Sequence, residues 1–250
     1  MLSLGIDSGS TTTKGILLDD QGIREKLIIK TSSSPRKSLY EVYDTFWSDA
    51  VGCTVATGYG RSLLKKANRK ITEITCHARG SRYFEPNCTG VIDIGGQDCK
   101  AIALDEKGNV TDFLMNDKCA AGTGRFMDVM MGILEADLED LDDFVINAKA
   151  ISISSMCTVF AESEIISLLA NDIPKGNIAL GVIHTIAERT ATFYGRLNLC
   201  GPVFFSGGLS KSKIFCRVLE EYLGQSIKTD VLGQYTGAVG AALIGYESVE

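Results

Sequence analysis

The chain has 250 residues, a net charge of −6, 45% hydrophobic residues and 22% charged residues, a composition typical of one large globular domain or two small ones. No apolar run approaches the eighteen or so residues of a membrane span, and no Lys/Arg run is present to neutralise nucleic-acid phosphates. The first residues, MLSLGIDSGS, lack the basic segment of a signal peptide. We therefore expect a cytoplasmic protein without membrane or nucleic-acid partners.

The first third of the chain alternates between strand and helix patterns. An apolar strand ends near Ile6 and leads into a glycine turn. Pro35 suits the first turn of a helix. The further predicted elements are strands at 15–19 and 24–30, a helix at 35–48, a strand at 53–56 and a helix at 60–68.

An internal repeat decides the fold. Residues 6–22 (IDSGSTTTKGILLDDQG) align without gaps on residues 92–108 (IDIGGQDCKAIALDEKG), with eight of seventeen positions identical at a constant offset of 86. The second copy predicts strands at 91–94, 100–104 and 110–115, a helix from Ala120, a strand at 202–206 and a helix at 211–223. Each half therefore reads strand, strand, strand, helix, strand, helix.

Two further segments complete the predicted organisation. Residues 120–199 carry apolar side chains three to four residues apart, which predicts a mostly helical insertion whose stripes face the core. The final segment, 237–246, has Gly237, Gly240 and Ala241 on neighbouring turns, so we expect a closely packed helix that returns to the first half.

The cysteines are spaced too widely for a local metal site. The chain has eight, and the closest pair is eleven residues apart, which excludes the spacing of zinc sites and of ferredoxin-type runs. Cys119 stands beside the glycine turn at 122–124, and Cys157 precedes the helical pattern TVFAESEIISLLA. Each is therefore predicted to lie at a helix N-terminus, where a thiolate is stabilised.

The two repeated units resemble the superfamily of actin, sugar kinases and heat-shock chaperone ATPases. The resemblance implies an α/β fold of duplicated ribonuclease H-like (actin-like ATPase) halves, each βββαβα, with a helical insertion in the second half. It divides the chain into 1–88 plus 236–250 and 89–235, with ATP in the cleft between the halves. Residues 5–14 and 93–98 resemble the two phosphate loops, 205–212 the adenosine motif, and 236–245 the second connecting helix.

These loops suit phosphate chemistry, because small residues let backbone N–H groups approach phosphate oxygens. Asp7 and Asp93 are expected to hold Mg²⁺ through its waters, and Gln97 or Asp98 to orient the attacking water. The predicted nucleotide-binding residues are Gly9, Ser10, Thr11, Thr12, Thr13, Lys14, Gly95, Gly96, Gly122, Thr123, Gly124, Gly207, Gly208 and Lys211.

Five motifs are similar to those of one branch, the ATP-dependent activators of 2-hydroxyacyl-CoA dehydratases, which are related to benzoyl-CoA reductase components and double-cubane reductase activators. These motifs are SGSTTTKG, TGYGR, VIDIGGQD, FLMNDKCAAGTGRF and SMCTVFAESE at 155–164. Those activators are homodimers with one 4Fe-4S cluster, ligated by two cysteines from each subunit. The matching positions are Cys119 and Cys157.

The resemblance implies an ATP-hydrolysing injector of single electrons. Its donor would be a ferredoxin or flavodoxin, and its partner an iron-sulfur dehydratase or reductase. Two alternatives stay open. A kinase of an N-acetylglucosamine-like sugar would use Asp98 as its base, and a metal-free ATP-driven clamp would need neither cysteine. His77 and His184 are interpreted as ordinary polar or interface residues.

Overall fold

The computed structural model describes residues 1–154 and 157–248. The described residues form two mixed sheets of five strands, each covered by helices. None of the helices in these ranges is long and apolar enough to cross a membrane. Ser155 and Met156 of the motif at 155–164, and the last two residues of the predicted first half, lie outside the described residues.

The first sheet has the strand order β3-β2-β1-β4-β5. Its strand β1 pairs antiparallel with β2 and parallel with β4, as a βββαβα unit requires. The predicted helix at 35–48 and the predicted strands are confirmed, with small shifts at their ends. The elements are β1 (Leu2–Ser8), β2 (Thr12–Asp19), β3 (Gly22–Lys30), α1 (Pro35–Phe46), β4 (Val51–Thr57), β5 (Arg69–Lys70) and α2 (Glu73–Phe84).

The predicted helix at 60–68 is wrong. Only Arg61–Leu63 form a short 3-10 turn there. The Asn68 side chain accepts a hydrogen bond from the Thr54 backbone N–H at 2.8 Å, which brings the following residues to the sheet edge as β5. The helix that completes the unit starts later, at Glu73, where the Thr72 hydroxyl caps it by accepting from the Thr75 N–H.

The second sheet repeats this plan in the order β10-β9-β6-β7-β8. Strand β6 pairs antiparallel with β7 and parallel with β9, so the predicted duplication is confirmed. The elements are β6 (Gly90–Ile94), β7 (Cys99–Leu104), β8 (Val110–Asn116), α3 (Gly124–Ile133), α4 (Leu141–Phe144), α5 (Thr158–Ala170), α6 (Lys175–Gly195), β9 (Val203–Gly207), α7 (Lys213–Leu223), β10 (Ile227–Lys228) and α8 (Thr236–Glu247).

The first insertion helix begins later than predicted. It starts at Gly124, with Thr123 as N-cap, and not at Ala120. A tight turn occupies the intervening residues, because the Thr123 N–H and hydroxyl both donate to the Ala120 carbonyl, at 3.0 and 2.6 Å, and Gly122 has a φ of +87°. Cys119 therefore precedes a turn, and the helix begins five residues beyond it.

Helices α2 and α8 pack against each other at the centre of the molecule. A β-carbon at Gly240 would overlap the Cys76 carbonyl, and one at Gly80 would overlap the Thr236 carbonyl, so the two backbones are in direct contact. Helix α8 also covers β1 and β4, whereas α2 reaches β6 and β7 of the second sheet. The predicted return of the last helix to the first half is confirmed.

The insertion helices supply the largest core cluster. Phe126 and Met130 of α3 and its C-cap Leu134 are fully buried, as are Ile165 of α5 and Ile186 of α6. The remaining stripe residues on these helices pack against the same cluster. The predicted core role of the stripes is confirmed.

Candidate functional site

A cleft with a volume of about 1210 Å³ separates the two sheets at the ends of β1 and β6. This volume is ample for a nucleotide. The predicted site residues that line it are Asp7, Gly9, Ser10, Thr11, Thr12, Lys14, Asp93, Gly95, Gly96, Gln97, Asp98, Gly124, Gly207, Gly208 and Lys211.

Three predicted nucleotide-binding residues lie behind the cleft wall. Thr13 is fully buried, because side chains alternate along β2 and its neighbours Thr12 and Lys14 take the cleft side. Its hydroxyl lies 3.0 Å from that of Thr31. Gly122 and Thr123 belong to the turn before α3 and do not line the cleft. None of these three residues lines the cleft.

The two phosphate loops face each other across the cleft. A β-carbon at Gly96 would overlap the Thr11 hydroxyl and lie 3.2 Å from that of Ser10, so this approach requires glycine. Both loops close with the same turn. The Gly9 N–H donates to the Thr12 carbonyl at 3.1 Å, and the Gly95 N–H donates to the Asp98 carbonyl at 2.9 Å.

Asp93 is the most tightly held group in the cleft. It is 3% exposed, and its Oδ1 accepts a hydrogen bond from the Ser206 hydroxyl at 2.7 Å and lies 3.5 Å from His77 Nδ1. Its Oδ2 accepts from Lys100 Nζ at 3.1 Å. Burial acts to raise the pKa of Asp93, but His77, Lys100 and Ser206 outweigh it and hold the pKa well below its usual range.

Lys100 joins two carboxylates of the second loop. Its Nζ also donates to Asp98 Oδ2 at 2.6 Å. Burial acts to lower the pKa of Lys100, and the charges of Asp93 and Asp98 outweigh it, so the pKa lies above its usual range. Lys100 therefore stays charged, and Asp98 is held in an ion pair while Gln97 stays exposed on the cleft wall.

The sequence interpretation missed several cleft residues. Lys100 aligns with Lys14 in the repeat, so the repeat itself contained the signal. Glu73 and His77 lie in the cleft because α2 crosses between the sheets, which no local pattern reveals. Burial raises the pKa of Glu73, Lys100 opposes this, and Asp98 and Asp7 add to it. Six further charged residues of the wall were missed as well, namely Lys30, Asp117, Arg125, Asp128, Glu139 and Asp142.

The second phosphate loop is bonded directly to the start of α3. The Gly124 N–H donates to the Gly95 carbonyl at 2.9 Å, and the Arg125 N–H donates to the Gly96 carbonyl at 2.8 Å. Behind this helix start lies the turn that begins at Ala120, immediately after Cys119. One turn of backbone therefore separates the cysteine from the helix start that is bonded to the loop.

Exposure separates Cys119 and Cys157 from most of the other cysteines. Both are exposed, and Cys157 is the N-cap of α5, with its carbonyl accepting from the Ala161 N–H at 2.8 Å. The predicted position at a helix N-terminus is therefore confirmed for Cys157 and wrong for Cys119. Burial raises the pKa of Cys76 and of Cys99 to about 12, so these two remain thiols. Cys200 is the third exposed cysteine.

The family model for BadF/BadG/BcrA/BcrD ATPases matches residues 4–245. The chain belongs to this ATPase family. Its sequence is 46% identical over 245 residues to the protein YjiL of Escherichia coli, covering 97% of this chain and 96% of YjiL. It is 44% identical over 253 residues to the (R)-2-hydroxyglutaryl-CoA dehydratase activating ATPase of Acidaminococcus fermentans, covering 98% and 97% of the two chains.

A solved structure of a second activator has the same fold. It is the activator of the 2-hydroxyisocaproyl-CoA dehydratase from Clostridium difficile with bound ADPNP, which superimposes with a TM-score of 0.93 at 37% identity and covers 99% of this chain and 95% of that one. The actin-like fold of two ribonuclease H-like halves is thereby confirmed for this member of the BadF/BadG/BcrA/BcrD ATPase family, as is its resemblance to the activators.

Within residues 1–154 and 157–248, no group of three or more His, Cys, Asp and Glu side chains is placed to hold a metal ion. Helices α3 and α5, which follow Cys119 and Cys157, pack against each other.

Proposed function

We propose that this protein is an ATP-hydrolysing activator that delivers single electrons to a partner iron-sulfur enzyme. The partner would be a 2-hydroxyacyl-CoA dehydratase or a double-cubane cluster reductase. A homodimer would take one electron from reduced ferredoxin or flavodoxin and pass it to the partner, while water converts ATP to ADP and phosphate. The names of the related activators support this proposal.

One observation carries the proposal. The second phosphate loop accepts two backbone hydrogen bonds from the start of α3, and Cys119 lies immediately before the turn that caps this helix. A loop that moves with the terminal phosphate would shift this turn, because two backbone hydrogen bonds join the loop to the start of α3. ATP turnover and the cysteine environment would thus be coupled over a few residues.

Different cleft residues would bind the phosphates, hold the metal ion and orient the attacking water. The turns at Gly9 and Gly95 would bring backbone N–H groups to the phosphates, and Lys14 would add a positive charge. Asp7 and Asp93 are buried carboxylates at strand ends, a donor set that suits a hydrated Mg²⁺ ion. Because Asp98 is paired with Lys100, the exposed Gln97 is the better candidate to orient the attacking water.

Cys119 and Cys157 suit an iron-sulfur cluster shared by two chains. Both thiols are exposed, and four thiolates from two subunits match the ligand count of a 4Fe-4S cluster. Bound there, the cluster would supply one-electron redox chemistry. The α5 N-terminus would offset negative charge at Cys157 through its unpaired N–H groups.

The sugar-kinase alternative has no comparable support. It requires Asp98 as a free base for the acceptor hydroxyl, whereas Asp98 Oδ2 accepts from Lys100 at 2.6 Å. The metal-free clamp alternative gives no reason for two exposed cysteines before packed helices. It remains as an outcome of the test below.

The test is the iron content of protein purified without oxygen. We expect a brown dimer with about four iron and four sulfide ions. Cys119→Ser and Cys157→Ser should each remove the colour and weaken the dimer, while ADP binding by the monomer persists. Cys200→Ser replaces the other exposed cysteine and is the matched control, so it should keep full iron content.

Two results would overturn the proposal. A colourless wild-type protein with full ATPase activity would favour the metal-free clamp. Retention of the complete iron content by either serine variant would show that the ligand assignment is wrong. In contrast, Asp7→Ala should leave the colour unchanged and abolish ATP turnover, which separates the two sites.

A further inference from the structure

His77 is buried against one oxygen of Asp93. The ring lies on α2 and is 7% exposed, with Nδ1 3.5 Å from Asp93 Oδ1 and 3.4 Å from the Ser206 hydroxyl. Ser206 donates to the same carboxylate oxygen at 2.7 Å. Oδ1 therefore has two polar neighbours, from α2 and β9, while Oδ2 is held separately by Lys100.

The other edge of the ring faces the equivalent carboxylate of the first half. A β-carbon at Gly237 of α8 would lie 3.0 Å from His77 Nε2 and 3.0 Å from Asp7 Oδ2. Both atoms therefore border the same small space above the Gly237 backbone. His77 thus lies between Asp7 and Asp93, the two residues that the repeat places at equivalent strand ends.

The backbone around His77 is well placed to fix this geometry. Helix α2 contacts α8 through glycine-to-carbonyl packing on either side of His77, at Gly80 and at Cys76. The ring is therefore attached to a rigid helix pair between the sheets, and its contacts with Asp93 and Ser206 join α2 to the second sheet.

We propose that His77 is a positioning residue that holds Asp93 opposite Asp7, so that the two carboxylates can jointly hold the hydrated metal ion of a bound nucleotide. The inference rests on the proposed function, because it concerns the ion that accompanies ATP. Without the Nδ1 contact, Asp93 Oδ1 would be held by Ser206 alone, and the carboxylate would be less firmly aligned with Asp7.

A pair of nearly isosteric variants separates positioning from packing. Asparagine can place its amide nitrogen where Nδ1 now lies, whereas leucine fills a similar volume without a polar atom. If His77 only fills space, His77→Leu and His77→Asn should behave alike. His184 is the other histidine of the chain and contacts Tyr222 at 3.2 Å outside the cleft, so His184→Leu is the matched control.

The experiment measures metal binding directly, using Mn²⁺ in place of Mg²⁺. Free Mn²⁺ is counted by electron paramagnetic resonance in the presence of saturating ADP, and metal-free ADP binding is measured by calorimetry. We expect His77→Leu to raise the Mn²⁺ dissociation constant about tenfold, because the polar contact of Nδ1 with Asp93 Oδ1 is lost. His77→Asn and His184→Leu should stay within about threefold of wild type, and ADP binding without metal should be unchanged in all of them.

The possible failures are distinguishable. If wild type binds Mn²⁺ with ADP and His77→Leu binds it equally well, the inference about His77 is wrong and the proposed function stands. If His77→Asn is as impaired as His77→Leu, or if metal-free ADP binding falls in parallel, the role of His77 is packing. A wild-type chain that binds ADP but no Mn²⁺ would overturn both this inference and the metal-assisted hydrolysis.

Discussion

The two copies of the repeat share a turn but differ in how tightly they hold their carboxylate. In the first copy, Lys14 Nζ lies 3.8 Å from Asp7 Oδ2. In the second copy, Lys100 lies 3.1 Å from Asp93 and 2.6 Å from Asp98, a residue that replaces Thr12 of the first copy. The equivalent lysine and aspartate are thus part of a three-charge network in the second copy.

The loops are also anchored to different places. Thr31, directly after β3, donates from its hydroxyl to the Gly9 carbonyl and from its N–H to the Thr11 carbonyl, both at 2.9 Å. The second loop instead accepts from the first residues of α3, beyond the segment 117–123 that contains Cys119. One loop is therefore anchored to its own sheet, and the other to the helix that follows Cys119.

The largest expected difference between the two copies is the loss of folding stability when the lysine of each copy is replaced. Lys100→Met should lower the free energy of unfolding by about 3 kcal/mol, because it leaves two carboxylates without their cation, and Asp93 is buried. Lys14→Met breaks a longer and more exposed pair, so it should lower stability by about 1 kcal/mol or less. Urea unfolding at neutral pH measures both. Equal losses would show that the two copies hold their carboxylates alike.

A smaller effect, an increase in stability, is expected when Glu73 is replaced. Its pKa is raised in the folded chain, so ionised Glu73 opposes folding at neutral pH, and this opposition disappears as the pH falls below the unfolded value of 4.5. Glu73→Gln should therefore raise Tm by about 1 °C at pH 7 and leave it unchanged at pH 4.

The exposed cleft residue Glu139 provides the control for this pH dependence. Glu139→Gln should have no effect on Tm at either pH. An increase in Tm at pH 4 equal to that at pH 7 would show that the Glu73 substitution acts through packing and not through charge.

The sequence predicted those features that depend on local pattern or on the repeat. The duplication predicted that the turns at Gly9 and Gly95 and the carboxylates of Asp7 and Asp93 line one cleft, because equivalent strands end at equivalent edges. It did not predict His77 or Glu73, since their position depends on how α2 packs against α8 at glycine contacts far apart in sequence. The helix after Cys119 was predicted to begin too early. The residues from Ala120 to Thr123 form a tight turn before the helix, and the sequence pattern does not distinguish this turn from a first helical turn.

The most direct test of the central claim, that nucleotide at the second loop acts on Cys119, uses the iron-free chain kept without oxygen. Alkylation of each exposed cysteine by iodoacetamide is followed by mass spectrometry with and without Mg²⁺ and a non-hydrolysable ATP analogue. We predict that the analogue changes the rate at Cys119 by about fivefold or more, while the rate at Cys200 stays constant. Unchanged reactivity of Cys119 in chains that demonstrably bind the analogue would contradict the account.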